Sequence, residues 1–224
     1  EGTMKLAQSR VGGTIFQGYG MTETSCASHV MPEDAPLTKK LQSVGVPLGS
    51  MECKVMDVTT GAELGANQQG EIWMRGPNIM KGYLNNPEAT AHTIDPDGYL
   101  HSGDIGYADD DGFFYVVDRL KELIKYKGLQ VAPAELEAVL LSNPAIADAA
   151  VIPVPDEDAG ELPKAFVVKR GDINEQQVME YVASRVAPHK KIRLVEFVDA
   201  IPKSASGKIL RRMLVEKERA AKTM

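Results

Sequence analysis

The chain has 224 residues, a formal net charge of −6 at neutral pH, 43% hydrophobic residues and 25% charged residues. This is an ordinary globular composition, with enough apolar side chains for one large or two modest cores. The acidic excess argues against a dedicated nucleic-acid-binding protein, which usually presents a basic face. Two cysteines cannot form a disulfide framework, and no apolar stretch reaches the roughly 20 residues that cross a bilayer. We therefore expect a cytoplasmic protein without membrane insertion.

The first part of the chain favours β-structure. Short runs rich in β-formers alternate with turns that contain Gly, Pro and Asp, up to about Val117. The predicted strands are MECKVMDV, GEIWMRG and GFFYVVD, and PEATAHTI is the best candidate for a short helix. We expect a β-rich unit over residues 1–117.

After Asp118 strands alternate with helices. PAELEAVLLSN predicts a helix with Pro133 in its first turn, and NEQQVMEYVASRVA predicts one capped by Asn174. DAAVIPV, KAFVVKR and IRLVEFVD predict strands, and ILRRMLVEKERAAK predicts a terminal helix. The chain is therefore predicted to be an α/β (α+β) protein, with a small open α/β domain over residues 122–224 and a boundary at residues 118–121.

The segment QGYGMTETS, residues 17–25, follows an apolar strand. Gly18 and Gly20 permit close approach of the backbone and unusual dihedral angles. Thr22 supplies a hydroxyl group, and Glu23 supplies a hard oxygen ligand of the kind that Mg²⁺ prefers. An ordinary glycine turn after a strand explains the same segment without any ligand.

The segment YLHSGDIGY places Asp104 after a predicted strand and between glycines. A carboxylate can accept two hydrogen bonds from the hydroxyls of a ribose, as it does in dinucleotide sites. The alternative is that Asp104 caps a turn.

Two further segments are rich in lysine. If residues 122–127 are extended, Lys125 and Lys127 lie on one face of a strand, where they repel each other unless solvent or an anion separates them. A solvated edge strand is the alternative, because lysines also protect sheet edges from aggregation. PKSASGKILRR, residues 202–212, carries Lys208 in a flexible glycine-containing loop that can reach a remote anion.

The histidines and the acidic turns do not predict other chemistry. The four histidines lack metal-ligand spacing, and none has the surroundings of a hydrolase triad. ADDDGFFYVVD has the composition of a calcium loop but lacks the glutamate at its twelfth position.

Taken in order, these segments resemble the adenylate-forming superfamily of acyl- and aryl-CoA synthetases, luciferases and carrier-protein-loading adenylation domains. The resemblance is carried by QGYGMTETS, GEIWMRGPNIMKGYLNNPEAT, DGYLHSGDIGYADDDGFFYVVDRLKELIKYKGLQVAPAELE and PKSASGKILRR. It extends from about Gly18 onward and is greatest for 4-coumarate–CoA ligase-like enzymes.

The resemblance implies an ATP-dependent carboxylate–CoA ligase that forms acyl-AMP and then acyl-CoA, with an aryl or phenylpropenoid acid as substrate. The alternatives are a medium- or long-chain fatty acyl-CoA synthetase, a luciferase-like or carrier-loading adenylation domain, and a non-catalytic α/β interaction module. The Ser/Thr/Gly-rich phosphate loop of the superfamily is missing from these residues. We therefore expect the last subdomain of the large AMP-binding domain plus the mobile small domain, inactive without the upstream part of the same enzyme. The resemblance also implies that residues 118–121 are the hinge about which the small domain rotates.

The resemblance also implies roles for individual residues. Those expected to contact ATP, AMP or CoA are Gln17, Gly18, Tyr19, Gly20, Thr22, Asp104, Arg119, Lys121, Lys125, Lys127, Gly128 and Lys208. Glu23 is expected to hold Mg²⁺, and Val30 to line the acyl pocket. Lys208, Lys125 and Gln130 are the expected catalytic residues.

Overall fold

The computed structural model describes residues 9–11, 15–205 and 207–223. The chain divides into two compact units, Glu1–Leu120 and Lys121–Met224, which we call the front unit and the rear unit. In neither part of the described chain is any helix long and apolar enough to cross a membrane.

The front unit begins with a small antiparallel sheet in the order β1-β2-β3. Its elements are β1 (Gly18–Tyr19), β2 (His29–Val30), α1 (Leu37–Gln42) and β3 (Val46–Pro47). Tyr19 pairs with His29, so the segment between β1 and β2 is the loop that connects two antiparallel strands.

A five-stranded antiparallel sheet in the order β5-β4-β6-β7-β8 forms the main body of the front unit. Its elements are β4 (Glu52–Met56), β5 (Glu63–Leu64), β6 (Gly70–Arg75), α2 (Pro87–Thr93), β7 (Leu100–Ala108) and β8 (Phe114–Arg119). Alternate residues of β6 point to opposite faces, so Ile72 and Met74 are fully buried while Trp73 lies on the other face. Val55, Leu100 and Phe114 complete the core beneath them.

The rear unit is built on a long antiparallel hairpin. Its elements are β9 (Ile124–Tyr126), β10 (Leu129–Val131), α3 (Pro133–Leu141), β11 (Ile146–Asp156), β12 (Gly160–Lys169), α4 (Glu175–Ala183), β13 (Leu194–Phe197) and α5 (Arg211–Thr223). β11 pairs with β12 along nearly its whole length, β9 pairs with the start of β12, and β13 runs parallel to β12.

Both faces of this hairpin are buried. Ala149 and Val151 belong to the core that α3 and α4 cover, whereas Ala150 and Ile152 belong to the core that contains Leu214 of α5. Successive strand residues point to opposite faces, so β11 is apolar without interruption through this region.

The predicted fold class is confirmed: a β-rich front unit precedes a small mixed α/β unit. The predicted helix caps are also present. The Asn174 side chain accepts a hydrogen bond from the Gln177 amide at 2.9 Å, and Gln177 Oε1 accepts one from the Asn174 amide at 3.0 Å. Pro133 occupies the first turn of α3, and Asn86 caps the short helix α2.

Three details differ from the sequence-based expectation. Residues 122–127 are not one extended strand, because Leu120–Glu122 forms a 3₁₀ turn and β9 ends at Tyr126. The rear sheet is mainly antiparallel, with β12 and β13 its only parallel pair among the described residues. The terminal helix begins at Arg211 because Ile209 pairs with Lys203 instead.

Strand β8 continues to Arg119, two residues beyond the predicted end of the β-rich region. The two units divide between Leu120 and Lys121. The hinge role of residues 118–121 stays a prediction.

Candidate functional site

The loop between β1 and β2 carries the motif of residues 17–25. Thr24 Oγ1 closes its 3₁₀ turn by accepting from the Met21 amide and donating to the Met21 carbonyl, both at 3.0 Å. A side chain at Gly20 would place its Cβ 2.1 Å from the Cys26 carbonyl oxygen, so this position needs glycine for close approach. The expected unusual dihedral angles occur elsewhere, because the positive φ values belong to Ser25 and Cys26 and not to Gly18 or Gly20.

Three predicted residues from distant parts of the sequence meet in the front unit. The Tyr19 hydroxyl donates to Asp104 Oδ2 at 2.6 Å, and Arg119 Nε lies 3.5 Å from Asp104 Oδ1. Asp104 on β7 and Arg119 on β8 are paired across adjacent strands. We call Tyr19, Asp104 and Arg119 the Asp104 cluster.

The Asp104 cluster is built around a buried carboxylate. Asp104 is 6% exposed, and its amide is held by Ser102 Oγ at 3.0 Å. Burial, followed by the hydrogen bond and charge of Asp104, raises the pKa of Tyr19 well above its usual value. The phenol therefore stays protonated and donates at neutral pH. A carboxylate has about four acceptor sites, so Asp104 retains capacity for a ligand hydroxyl.

Glu23 lies in the loop between β1 and β2 and is held by the segment that follows β6. Its Oε1 accepts from the Tyr83 hydroxyl at 2.8 Å, and its carbonyl oxygen accepts from the Met80 amide at 2.8 Å. Thr22, its neighbour, is exposed. Sequence reasoning missed Tyr83, whose only indication is its place in the polar, glycine-containing segment GPNIMKGYLNN.

The donors near Glu23 fit a metal only in a limited way. Within the described residues no group of three or more His, Cys, Asp or Glu side chains could hold an ion. Mg²⁺ commonly binds one or two carboxylates together with waters and substrate phosphates. Glu23 therefore fits Mg²⁺ as a single protein ligand to an ion that a nucleotide brings with it.

Glu23 lines a cleft of about 430 Å³ in the front unit. Glu71 is a second carboxylate in its wall, and it was not predicted from the sequence. It accepts from the Gly103 amide and from Trp73 Nε1, both at 2.8 Å. Glu71 thus fixes the peptide that precedes Asp104, and its alternation within GEIWMRG is the only sequence feature that placed it opposite the core.

In the rear unit a tight hairpin presents several predicted residues together. Lys125 on β9 pairs with Gln130 on β10, and both side chains are exposed. Lys127 and Gly128 form the two-residue turn, with φ of 49° and 78°. These values are those of a type I′ hairpin, and they take Lys127 out of the strand face that Lys125 occupies.

Lys208 lies in a closed turn of the rear unit rather than in an open loop. The Ser204 amide donates to the Lys208 carbonyl oxygen at 2.8 Å, and the Lys208 amide donates to Ser204 Oγ at 3.2 Å. Lys203, at the base of the turn, contacts Asp148 Oδ2 through its Nζ at 2.6 Å. The Lys208 side chain itself is exposed.

The structure does not bring the Lys208 turn and the β9–β10 hairpin to one place. The Lys125 amide is bonded to Glu161 Oε2 at 2.7 Å, near the start of β12. Asp148, which holds the Lys208 turn, pairs with Val168 near the end of β12. Val168 lies seven residues beyond Glu161 along β12, roughly 23 Å at about 3.3 Å per residue.

Arg211, the first residue of α5, links this helix to the 3₁₀ turn of residues 120–122 and to α3. Its Nη1 lies 2.5 Å from Glu122 Oε2, and its Nη2 lies 2.6 Å from Glu137 Oε2. Glu122 belongs to the same turn as Lys121. A cation at the start of a helix is unfavourable next to the helix dipole, so these two carboxylates offset that cost.

Comparisons with known proteins agree with this arrangement. The family model of AMP-binding enzymes matches residues 1–84, and that of the AMP-binding enzyme C-terminal domain matches residues 135–208. The chain therefore belongs to the adenylate-forming AMP-binding enzymes, as the sequence motifs predicted.

Among individual proteins the chain is similar to plant CoA ligases. It is 52% identical over 208 residues to a probable CoA ligase of Humulus lupulus, covering 91% of this chain and 37% of that protein. It is 56% identical over 200 residues to a 4-coumarate–CoA ligase of Pinus taeda, with coverages of 88% and 37%. The chain thus spans little more than a third of the length of these relatives.

Solved structures show the same fold. ATP-bound MatB from Rhodopseudomonas palustris aligns with a TM-score of 0.88 at 32% identity, covering 96% of this chain and 43% of that one. The o-succinylbenzoate-CoA synthetase of Bacillus subtilis, in complex with its acyl-adenylate intermediate, aligns with a TM-score of 0.81 at 36% identity, with coverages of 94% and 43%.

Proposed function

We propose that the chain is the carboxyl-terminal part of an ATP-dependent carboxylate–CoA ligase. The complete enzyme would join a carboxylic acid to AMP with release of pyrophosphate, and then transfer the acyl group to CoA with release of AMP. The observation that carries this proposal is the Asp104 cluster, a buried carboxylate with fixed donors in a chain of this family. Asp104 would bind the ribose hydroxyls, with Tyr19 and Arg119 holding it in place.

The remaining front-unit residues would surround the nucleotide. Gln17, Gly18 and Gly20 would border the adenylate, Thr22 would contact phosphate, and Val30 would line the acyl pocket. Glu23 would be one ligand of Mg²⁺. When bound, that ion would neutralise charge on the phosphate oxygens.

Lys208 would serve the first reaction. Attack of a carboxylate on ATP builds negative charge between two groups that are already anionic, and a positioned ammonium group neutralises it. The exposure of the Lys208 side chain, on a residue whose backbone closes the turn with Ser204, supports this role.

The β9–β10 hairpin would serve the second reaction. Lys127 and Gly128 would line the route of the CoA thiol, while Lys125, Gln130 and Lys121 would support the adenylate. The roughly 23 Å between the attachments of the hairpin and of the Lys208 turn, near opposite ends of β12, supports a division of labour between two parts of the rear unit.

An aryl or phenylpropenoid acid is the proposed substrate, because 4-coumarate–CoA ligases are 54–57% identical to this chain. A fatty or related aliphatic acid is the second candidate. It is favoured by 52% identity to a protein named peroxisomal OPC-8:0-CoA ligase 1 of Arabidopsis thaliana. We place the protein itself in the cytoplasm.

Titration of AMP into the 224-residue chain tests the nucleotide site. We expect Asp104→Asn to weaken AMP binding about 10- to 100-fold, because it removes a charge-assisted acceptor. Asp57→Asn is the matched control, since it alters a carboxylate of the β4–β5 turn. Equal affinities for all three forms, or no binding at all, would favour the interaction module over the ligase.

Pyrophosphate exchange tests the proposed dependence on further sequence. ATP–pyrophosphate exchange with 4-coumarate and with fatty acids should be absent for these 224 residues and present for a form as long as the relatives. Exchange catalysed by the shorter form, free of contaminating ligase, would contradict this dependence.

A further inference from the structure

We propose that residues 78–83, here called the clamp, position the Glu23 carboxylate, and that the Tyr83 hydroxyl orients it toward a divalent cation. The inference rests on the proposed function, because it concerns how Glu23 would present itself to Mg²⁺. Tyr83 is therefore a positioning residue that acts through Glu23.

The clamp is joined to the Glu23 loop by hydrogen bonds at several points. Asn78 Nδ2 donates to the carbonyl oxygens of Thr24 and Ala27, at 3.0 and 2.7 Å. Ser25 Oγ donates to the Asn78 carbonyl oxygen at 2.9 Å. Together with the Met80 amide on the Glu23 carbonyl, these bonds fix the loop backbone independently of the Tyr83 hydroxyl.

Tyr83 is itself fixed by helix α2. Its amide donates to Thr90 Oγ1 at 2.9 Å. The preceding Gly82 has φ of 146°, and a Cβ there would lie 2.7 Å from Thr90 Cγ2. Glycine thus allows the chain to pass close to α2, and the ring of Tyr83 reaches Glu23 from an anchored backbone.

The Tyr83 hydroxyl makes the two oxygens of the Glu23 carboxylate inequivalent, because it donates to only one of them. Oε1 accepts from Tyr83, whereas Oε2 has no hydrogen-bond partner among the described residues. A phenol ionises only well above neutral pH, so the Tyr83 hydroxyl is available as a donor to Oε1. The arrangement leaves Oε2 for a cation and holds the carboxylate plane in one orientation. Partners of this kind commonly change metal affinity by about 10- to 100-fold when they are removed.

The front unit contains a second tyrosine–carboxylate pair that supplies a control variant. Tyr99 also donates its hydroxyl to a carboxylate, Glu52 Oε2 at 3.2 Å. Tyr99→Phe therefore removes the same chemical group from a second phenol–carboxylate pair. Tyr83→Phe removes the hydroxyl and leaves the ring and all clamp backbone bonds in place.

The test is a titration of the isotopically labelled 224-residue chain with MgATP and then MnATP, each compared with ATP in EDTA, in which NMR follows the metal-dependent changes at the amides of residues 22–24. We expect saturable changes in the wild type, about tenfold weaker affinity in Tyr83→Phe, and wild-type affinity in Tyr99→Phe. Unfolding midpoints, followed by the fluorescence of the single Trp73, should be the same for all three.

A fourth form separates the two hypotheses. Glu23→Gln should abolish the amide changes, and adding Tyr83→Phe to it should have no further effect. If the wild type binds and Tyr83→Phe binds equally well or more tightly, the positioning role is wrong while the metal role of Glu23 stands. If the wild type shows no saturable change, both the metal role and the positioning role are overturned.

Discussion

His29 is the residue whose surroundings predict the clearest pH response. It is 1% exposed, and its ring lies between those of Tyr19 and Phe114. Burial lowers the pKa of His29 to about 4 from an ordinary value of 6.5. His29 is therefore protonated below about pH 6.5 in the unfolded chain, but only below about pH 4 in the folded chain.

The stability contributed by neutral His29 is complete above pH 6.5 and is lost as the pH falls toward 4. The slope is about 1.4 kcal/mol per pH unit, and the total loss is about 3 kcal/mol. Trp73 is the only tryptophan and lies in the front unit, so its fluorescence follows this transition.

We expect His29→Leu to flatten the acid-side slope, measured by denaturant unfolding between pH 4 and 7. His92→Gln, at an exposed position of α2, should leave the slope of the wild type unchanged. A wild-type slope in His29→Leu would assign the acid response to other groups.

Lys208 gives a second prediction at the residue scale. In a form as long as the relatives, Lys208→Ala should slow acyl-AMP formation by about 10²- to 10³-fold, the effect of removing one electrostatic donor from a transition state. Conversion of supplied acyl-AMP to acyl-CoA should fall far less. Acetylation of Lys208 deletes the same charge and should act in the same way.

Measuring the two half-reactions separately, by pyrophosphate exchange and by thioester formation, checks this difference. Equal losses in both would mean that Lys208 supports the rear unit as a whole. Lys203→Ala is a useful comparison, because it removes a cation of the same turn that is already paired with Asp148.

The sequence anticipated some residues of the candidate site and missed others for a physical reason. Tyr19, Asp104 and Arg119 could be named because each stands in a contiguous motif. Tyr83 could not, because its contact with Glu23 spans 60 residues and depends on how α2 directs the segment before it. Side chains that meet only through tertiary packing leave little local pattern.

The β9–β10 hairpin carries the prediction at the scale of elements. Lys127 adopts φ of 49°, which costs a non-glycine residue about 1–2 kcal/mol. Asn tolerates this conformation, and Asn-Gly is the preferred type I′ turn. Lys127→Asn should therefore raise the stability of the hairpin by about 0.5–1 kcal/mol while lowering thioester formation.

Hydrogen exchange at the amides of β9 and β10 measures the first effect, and the acyl-AMP to acyl-CoA reaction measures the second in the longer form. Lys125→Asn, on the strand itself, should give no gain in stability, because Asn is unfavourable in strands. Loss of stability in Lys127→Asn would show that the left-handed lysine is not strained.

Elements were predicted well where local chemistry decided them. Helix α4 begins after Asn174 because a capping box satisfies its first amides, and the sequence shows that pattern directly. Residues 122–127 were not predicted well, because alternation of lysine with apolar residues suited a strand. Their path is instead set by Gly128 and by the pairing of Tyr126 with Gly160 of β12.

The division between Leu120 and Lys121 carries the prediction for the whole molecule. If residues 118–121 act as a hinge, Lys121→Pro should impair one or both half-reactions of the longer form, because proline restricts its own φ and the residue before it. Neither unit should unfold, as followed by Trp73 fluorescence and by hydrogen exchange in β11 and β12. Unchanged rates in both half-reactions would remove the hinge assignment.

The long β11–β12 hairpin also has a consequence for how the rear unit reaches its native state. Its register runs from Asp156 opposite Gly160 to Ile146 opposite Lys169, so most of its contacts join residues that are near in sequence. Closing such short loops costs little entropy, whereas β13 must cross α4 before it can lie parallel to β12. We expect the hairpin to form early and the β12–β13 pairing late, which leaves that edge of β12 the last part of the sheet to be protected during synthesis.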